Sequence, residues 1–88
     1  GMSFTKAQDL TDVGNLKSAL GRVQTYRGTR DEARALGDWA TARNTVQGRS
    51  AKNDVRLGIN YMQEKLDGEF DQLAIDHCTG LETVLNSV

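Results

Sequence analysis

Apolar residues recur at helical spacing along most of the chain. Leu10, Val13, Leu16, Leu20 and Val23 follow one another at steps of 3, 3, 4 and 3. At about 100° per residue they share one face of about 140°. Thr5 and Gln8 fit a capping box, in which each side chain satisfies a free backbone N–H of the first turn. Gly28 suits the left-handed position just past a helix end. The spacing predicts a first helix over about 5–27. Gly14 and Gly21 lie beside its apolar face; they either let another helix approach closely or cost about 1 kcal/mol each. Thr29 and Glu32 form a second capping box. Ala33, Leu36, Trp39, Ala40 and Val46 then share one side of a second helix, over about 29–47 and ending near Gly48. Arg43 projects into that side, and its stem is expected to pack while its head reaches water.

The last third carries the longest pattern. Val55, Ile59, Met62, Leu66, Phe70, Leu73, His77, Leu81, Val84 and Val88 keep a spacing of three or four, with a mean of about 3.67. His77 is the one polar position. The register passes through Gly68 and Gly80 unbroken. One helix over about 53–86 accounts for this and would span about 50 Å at about 1.5 Å per residue. Two alternatives stay open. Asp67-Gly68 can end one helix and begin another after a short turn. Val55, Leu57, Ile59 and Tyr61 also alternate as in a strand, with Asp67-Gly68 as a hairpin turn.

Composition limits the class. Leu, Ile, Val and Phe make up 19 of the 88 residues, just above the roughly 20% below which chains rarely fold. The core is therefore thin, and association with a second copy is a natural remedy. Gly1 stands ahead of Met2 and reads as a remnant of expression, with the natural chain starting at Met2. No apolar run reaches membrane length, and the N-terminus shows no hydrophobic signal segment. Cys78 has no second cysteine to pair with. A single domain over 1–88 in the cytoplasm is expected, with no membrane contact.

Charge is segregated. Residues 22–56 hold all seven arginines and Lys52 against four acids, whereas residues 57–88 hold six acids against Lys65. The basic middle can pair with the acidic end, within one chain or across a dimer. It can instead face nucleic acid through Arg22, Arg27, Arg30, Arg34, Arg43, Arg49 and Arg56. A third reading is a merely solvated surface. Ala33 and Gly37 have the spacing of the first half of a helix-turn-helix, but Arg43 stands where its next apolar residue belongs. Trp39 and the Thr29 cap suggest a helix that runs on through Gly37.

Candidate chemistry is sparse. His77 and Cys78 are neighbours, pointing about 100° apart on a helix, and do not converge on one proton or metal. Glu64, Asp67 and Asp71 stand at i, i+3 and i+7 on one helical face, a ladder able to hold a divalent cation through oxygen ligands, although a solvated acidic face is far commoner. No glycine pattern cradles a phosphate.

The sequence thus predicts an all-α bundle of two N-terminal helices and a long, or Gly68-broken, C-terminal helix. It has no catalytic, metal or cofactor site. Its expected role is a small interaction or assembly module that dimerises through Val55, Ile59, Met62, Leu66, Phe70, Leu73, His77, Leu81 and Val84. The alternative is a small DNA-binding regulator using the seven arginines. The dimer argument rests on length: a helix of about 50 Å outruns two shorter helices packed side by side on it. A monomer would mean that the helix breaks at Gly68 and folds back.

Overall fold

The computed structural model describes residues 5–49 and 51–87, so Gly1, Met2 and Val88 of the stripe lie outside the described residues. Four helices and no strand occur among the described residues: α1 (Lys6–Tyr26), α2 (Glu32–Gln47), α3 (Asn53–Asp67) and α4 (Asp71–Asn86). The chain is all-α. The C-terminal third breaks at 68–70 and folds back as an antiparallel pair, and the Val55–Tyr61 alternation is helical.

Thr5 caps α1 as expected: its Oγ1 accepts from the Gln8 backbone N–H at 3.1 Å. Gln8 does not complete the box, because its amide donates to Asp12 Oδ1 at 3.0 Å. Gly28 takes the left-handed conformation, φ 78°, that lets the chain leave α1. The second capping box is displaced. Glu32 accepts from the Gly28 backbone N–H at 2.8 Å. The Thr29 hydroxyl donates to the Tyr26 carbonyl at 2.7 Å and accepts from the Asp31 N–H. These bonds hold the turn, and α2 begins only at Glu32. It then runs unbroken through Gly37.

The turn between α3 and α4 explains how the apolar stripe misleads. Phe70 N–H donates to the Lys65 carbonyl at 2.7 Å and Glu69 N–H to the Leu66 carbonyl at 3.0 Å. This is the Schellman closure of a helix end. The left-handed residue in it is Glu69, φ 62°, whereas Gly68 stays at φ −84°. Leaving the helix takes three residues, nearly one helical turn, so the 3.67-residue count survives a reversal of chain direction. Periodicity cannot separate one long helix from this hairpin.

The inward face of α4 is also rotated from the expected one. Ala74, Cys78, Leu81 and Leu85 are buried, whereas Leu73, Val84 and Phe70 are exposed. In α3 the expected residues do turn inward: Val55, Ile59, Met62 and Leu66 are at most 1% exposed. The small side chains Ala74 and Cys78 let α4 sit close between two neighbours, and the bulky apolar residues beside them are left outside. The sequence stripe followed the bulk.

α1 is the central element, packed on α2 on one side and on α4 on the other. Val13, Leu16, Ala19, Leu20 and Val23 are fully buried there. α4 packs in turn on α3. α2 and α3 approach each other less closely, and the Trp39 side chain, 1% exposed, fills the space between them. Its indole N–H donates to Gln63 Oε1 at 2.8 Å. Arg43 Nη1 donates to the same oxygen at 2.7 Å. The Arg43 head therefore spans to α3 instead of ending in water.

The glycines at the middle of the helices do not serve close packing. Nothing lies within 4 Å of where a Cβ would stand at Gly14, Gly21, Gly37 or Gly80. Glycine at such a position costs about 0.5–1 kcal/mol against alanine. Replacing all four by alanine is therefore expected to add about 2–4 kcal/mol to the stability of the chain. A thermal or urea melt reads this directly. Gly58 is the contrast: its Cβ would stand 2.9 Å from His77 Nε2 and 3.0 Å from Leu81 Cδ1.

Candidate functional site

Three polar clusters and one apolar face stand out on this scaffold. The first cluster joins three helix ends. Arg27 Nε and Nη2 grip Asp71 Oδ2 and Oδ1 at 3.0 and 2.9 Å. Nη2 also donates to the Leu66 carbonyl at 2.7 Å. Asp71 is buried in the first turn of α4, where a carboxylate suits the helix dipole. The Asp71 hydrogen bond raises the Arg27 pKa further above its already high ordinary value. Part of the charge segregation is thus resolved within one chain, basic middle to acidic end.

The second cluster is the Trp39–Arg43–Gln63 junction, extended by Gln63 Nε2 to Asp67 Oδ1 at 2.9 Å. The third lies at the other end of the bundle. Asp9 and Asp12, one turn apart on α1, are 1% and 2% exposed. Asp12 Oδ1 accepts from Arg49 Nη1 at 3.0 Å, tying α1 to the segment after α2. Asp12 Oδ2 and both Asp9 oxygens are buried without a hydrogen-bond partner. Burial raises the Asp9 pKa and the Asp12 charge adds to it, while the Lys52 backbone N–H and ammonium oppose them.

A carboxyl group with a raised pKa in the folded chain holds its proton more tightly there than in the unfolded chain. Its contribution is therefore most favourable at acid pH and is lost as pH rises through the folded pKa. Asp9→Asn is expected to raise stability at pH 7, since the amide carries no charge and can donate to Asp12 Oδ2. One such bond is worth about 1 kcal/mol. The gain should shrink as pH falls through the carboxylate range. Urea melts of both proteins at pH 7 and pH 4 check the sign.

The apolar face lies along the outer groove between α3 and α4. Leu57 is 65% exposed, Val84 48% and Leu73 45%. Between them Tyr61 and His77, both half-buried, stack with ring centroids 4.7 Å apart. Lys65 Nζ sits 5.2 Å from the Tyr61 ring centroid. The absent Cβ of Gly58 is what lets His77 and Leu81 lie against α3. A shallow pocket opens there, lined by Asp54, Leu57, Gly58, His77, Leu81 and Val84.

The expected site residues divide accordingly. Val55, Ile59, Met62 and Leu66 belong to the core and are not available to a partner. Leu81, 6% exposed, forms the floor of the groove. Leu73, His77 and Val84 line or flank the groove, and Phe70 is exposed at the turn. Leu57 and Tyr61 join them. Sequence reasoning missed both because they fall outside the stripe, although an apolar pair four apart on one helix face was a usable signal.

Among the arginines, Arg22 and Arg34 line one surface pocket with Asp31 and Asp38. Arg22 pairs with Asp38 at 3.9 Å, Arg56 Nη1 donates to the Arg49 carbonyl at 3.4 Å, and Arg27, Arg43 and Arg49 make the bonds given above. Arg30 and Arg34 are exposed. The carboxylate ladder does not form, since the turn separates Asp71 from Glu64 and Asp67. Among the described residues no three His, Cys, Asp or Glu side chains are grouped to hold a metal ion. Cys78 packs in the core with its Sγ 3.6 Å from Met62 Sδ, and burial pushes its thiol pKa up to about 12. No helix among the described residues is long and apolar enough to cross a membrane.

The chain matches no family model, no curated protein and no solved structure.

Proposed function

We propose that this chain is a non-catalytic helical module that associates with a second copy of itself through the outer face of α3 and α4. No 50 Å helix is left to cover, because the C-terminal third breaks at 68–70 and packs on itself. What carries the reading now is the run of exposed Leu57, Leu73 and Val84 around the Tyr61–His77 stack. Exposed apolar side chains gathered on one face mark protein contacts when they form a large patch. A thin core in an 88-residue chain gives an added benefit from association.

Sedimentation across a concentration series tests it. The unmodified chain should shift from monomer to dimer between micromolar and several hundred micromolar. Leu73→Asp should weaken the dimer at least tenfold, since a carboxylate must then be desolvated in the contact. Leu73 is 45% exposed, so its thermal midpoint at low concentration should barely move. A chain that stays monomeric at several hundred micromolar overturns the proposal.

A further inference from the structure

Resting on that reading, we infer that the partner copy lies antiparallel, related by a two-fold axis that lies in the contact plane and runs across the helices. Tyr61 stacks on His77, and Met62 touches Cys78. Continuing along the two antiparallel helices, Asp54 stands level with Val84, and Lys65 with Leu73. The groove is therefore framed by a rectangle. One end carries Asp54 and Val84, and the other carries Lys65 and Leu73. Each long side is eleven residues, about 16 Å at about 1.5 Å per residue. The Tyr61–His77 stack lies near its centre.

Two copies can meet face to face about a two-fold axis in two ways. With the axis parallel to the helices, ends stay level. Asp54 then faces Val84 of the other copy and Lys65 faces Leu73, so four charges are pressed onto apolar side chains. With the axis across the helices, ends are exchanged. Asp54 then meets Lys65 of the other copy and Leu73 meets Val84, each pairing occurring twice. Every charge finds its opposite and every apolar corner finds an apolar corner. Asp54 and Lys65 have no ion-pair partner within the chain among the described residues, so only the Lys65–Tyr61 cation–π contact must adjust to form these pairs. Leu73 of the second copy would sit over the shallow pocket beside Val84 and Leu81. The molecule measures 39 × 23 × 18 Å, so its largest face is of the same order as the roughly 800 Å² per partner of a standard interface.

Charge reversal tests the arrangement by sedimentation at low salt. Asp54→Lys alone sets lysine against lysine twice, and Lys65→Asp alone sets carboxylate against carboxylate twice. Each is expected to weaken the homodimer by roughly tenfold or more. Mixing the two single variants should restore association near the unmodified level, because each then offers the other only opposite charges. The double variant should likewise recover. Circular dichroism on each variant confirms that it is folded. If the unmodified chain dimerises but mixing restores nothing, or the single variants bind as tightly as the original, the antiparallel arrangement is overturned while self-association stands. If the unmodified chain is a monomer, the underlying reading fails and this one with it.

Discussion

Trp39→Ala is expected to leave the chain largely unfolded at 37 °C. The indole is 1% exposed and joins α2 to Gln63 of α3, two helices that approach each other only sparsely. Removing a buried aromatic of this size costs about 3–5 kcal/mol, the lost transfer energy plus the void left behind. A small domain has little more than 5 kcal/mol in total. The Gln63 carbonyl oxygen would also lose its indole donor and keep only Arg43. Trp39→Phe separates the two effects, since it retains most of the volume and gives up the hydrogen bond. Its cost should be well under half that of the alanine variant. Urea melts followed by circular dichroism rank the three proteins. An alanine variant within 1 kcal/mol of the original would mean that α2 and α3 close the gap without the indole.

Arg27→Ala should be nearly as damaging. It strands the buried Asp71 carboxylate and leaves the Leu66 carbonyl without its Arg27 donor, at the point where the ends of α1 and α3 and the start of α4 meet. Breaking a buried pair from one side costs about 3–5 kcal/mol, because the remaining charge has no solvent to turn to. Replacing both partners should cost much less. The pair Arg27→Met with Asp71→Leu removes the two charges together, and such exchanges are often neutral or better. A double variant no more stable than Arg27→Ala would show that the Leu66 carbonyl contact, not the ion pair, dominates the junction.

These two residues also mark the line between what the chain shows in one dimension and what it shows only when folded. The helical class is legible in one dimension, because spacing of apolar residues follows from the geometry of a single helix. The first element is legible almost to the residue, through the Thr5 cap and the left-handed Gly28. So is the passage of α2 through Gly37. Such features depend on neighbours within about four residues, and those are adjacent in the text of the sequence.

The rest depended on distant parts of the chain. The reversal at 68–70 was open as an alternative but could not be chosen. The Schellman closure takes nearly one helical turn and keeps the apolar phase, and its left-handed residue is Glu69 and not the neighbouring glycine. Which face of α4 turns inward was decided by close packing against α1 and α3. That packing selects the small Ala74 and Cys78 over the larger Leu73 and Val84. The exposed groove is the direct result of that choice, so apolar spacing alone did not separate its residues from the buried ones. The Arg27–Asp71 pair lies 44 residues apart in sequence, and only the antiparallel packing of α1 on α4 brings it together. Local spacing fixes the secondary elements, while the choice of buried face belongs to whatever packs against them.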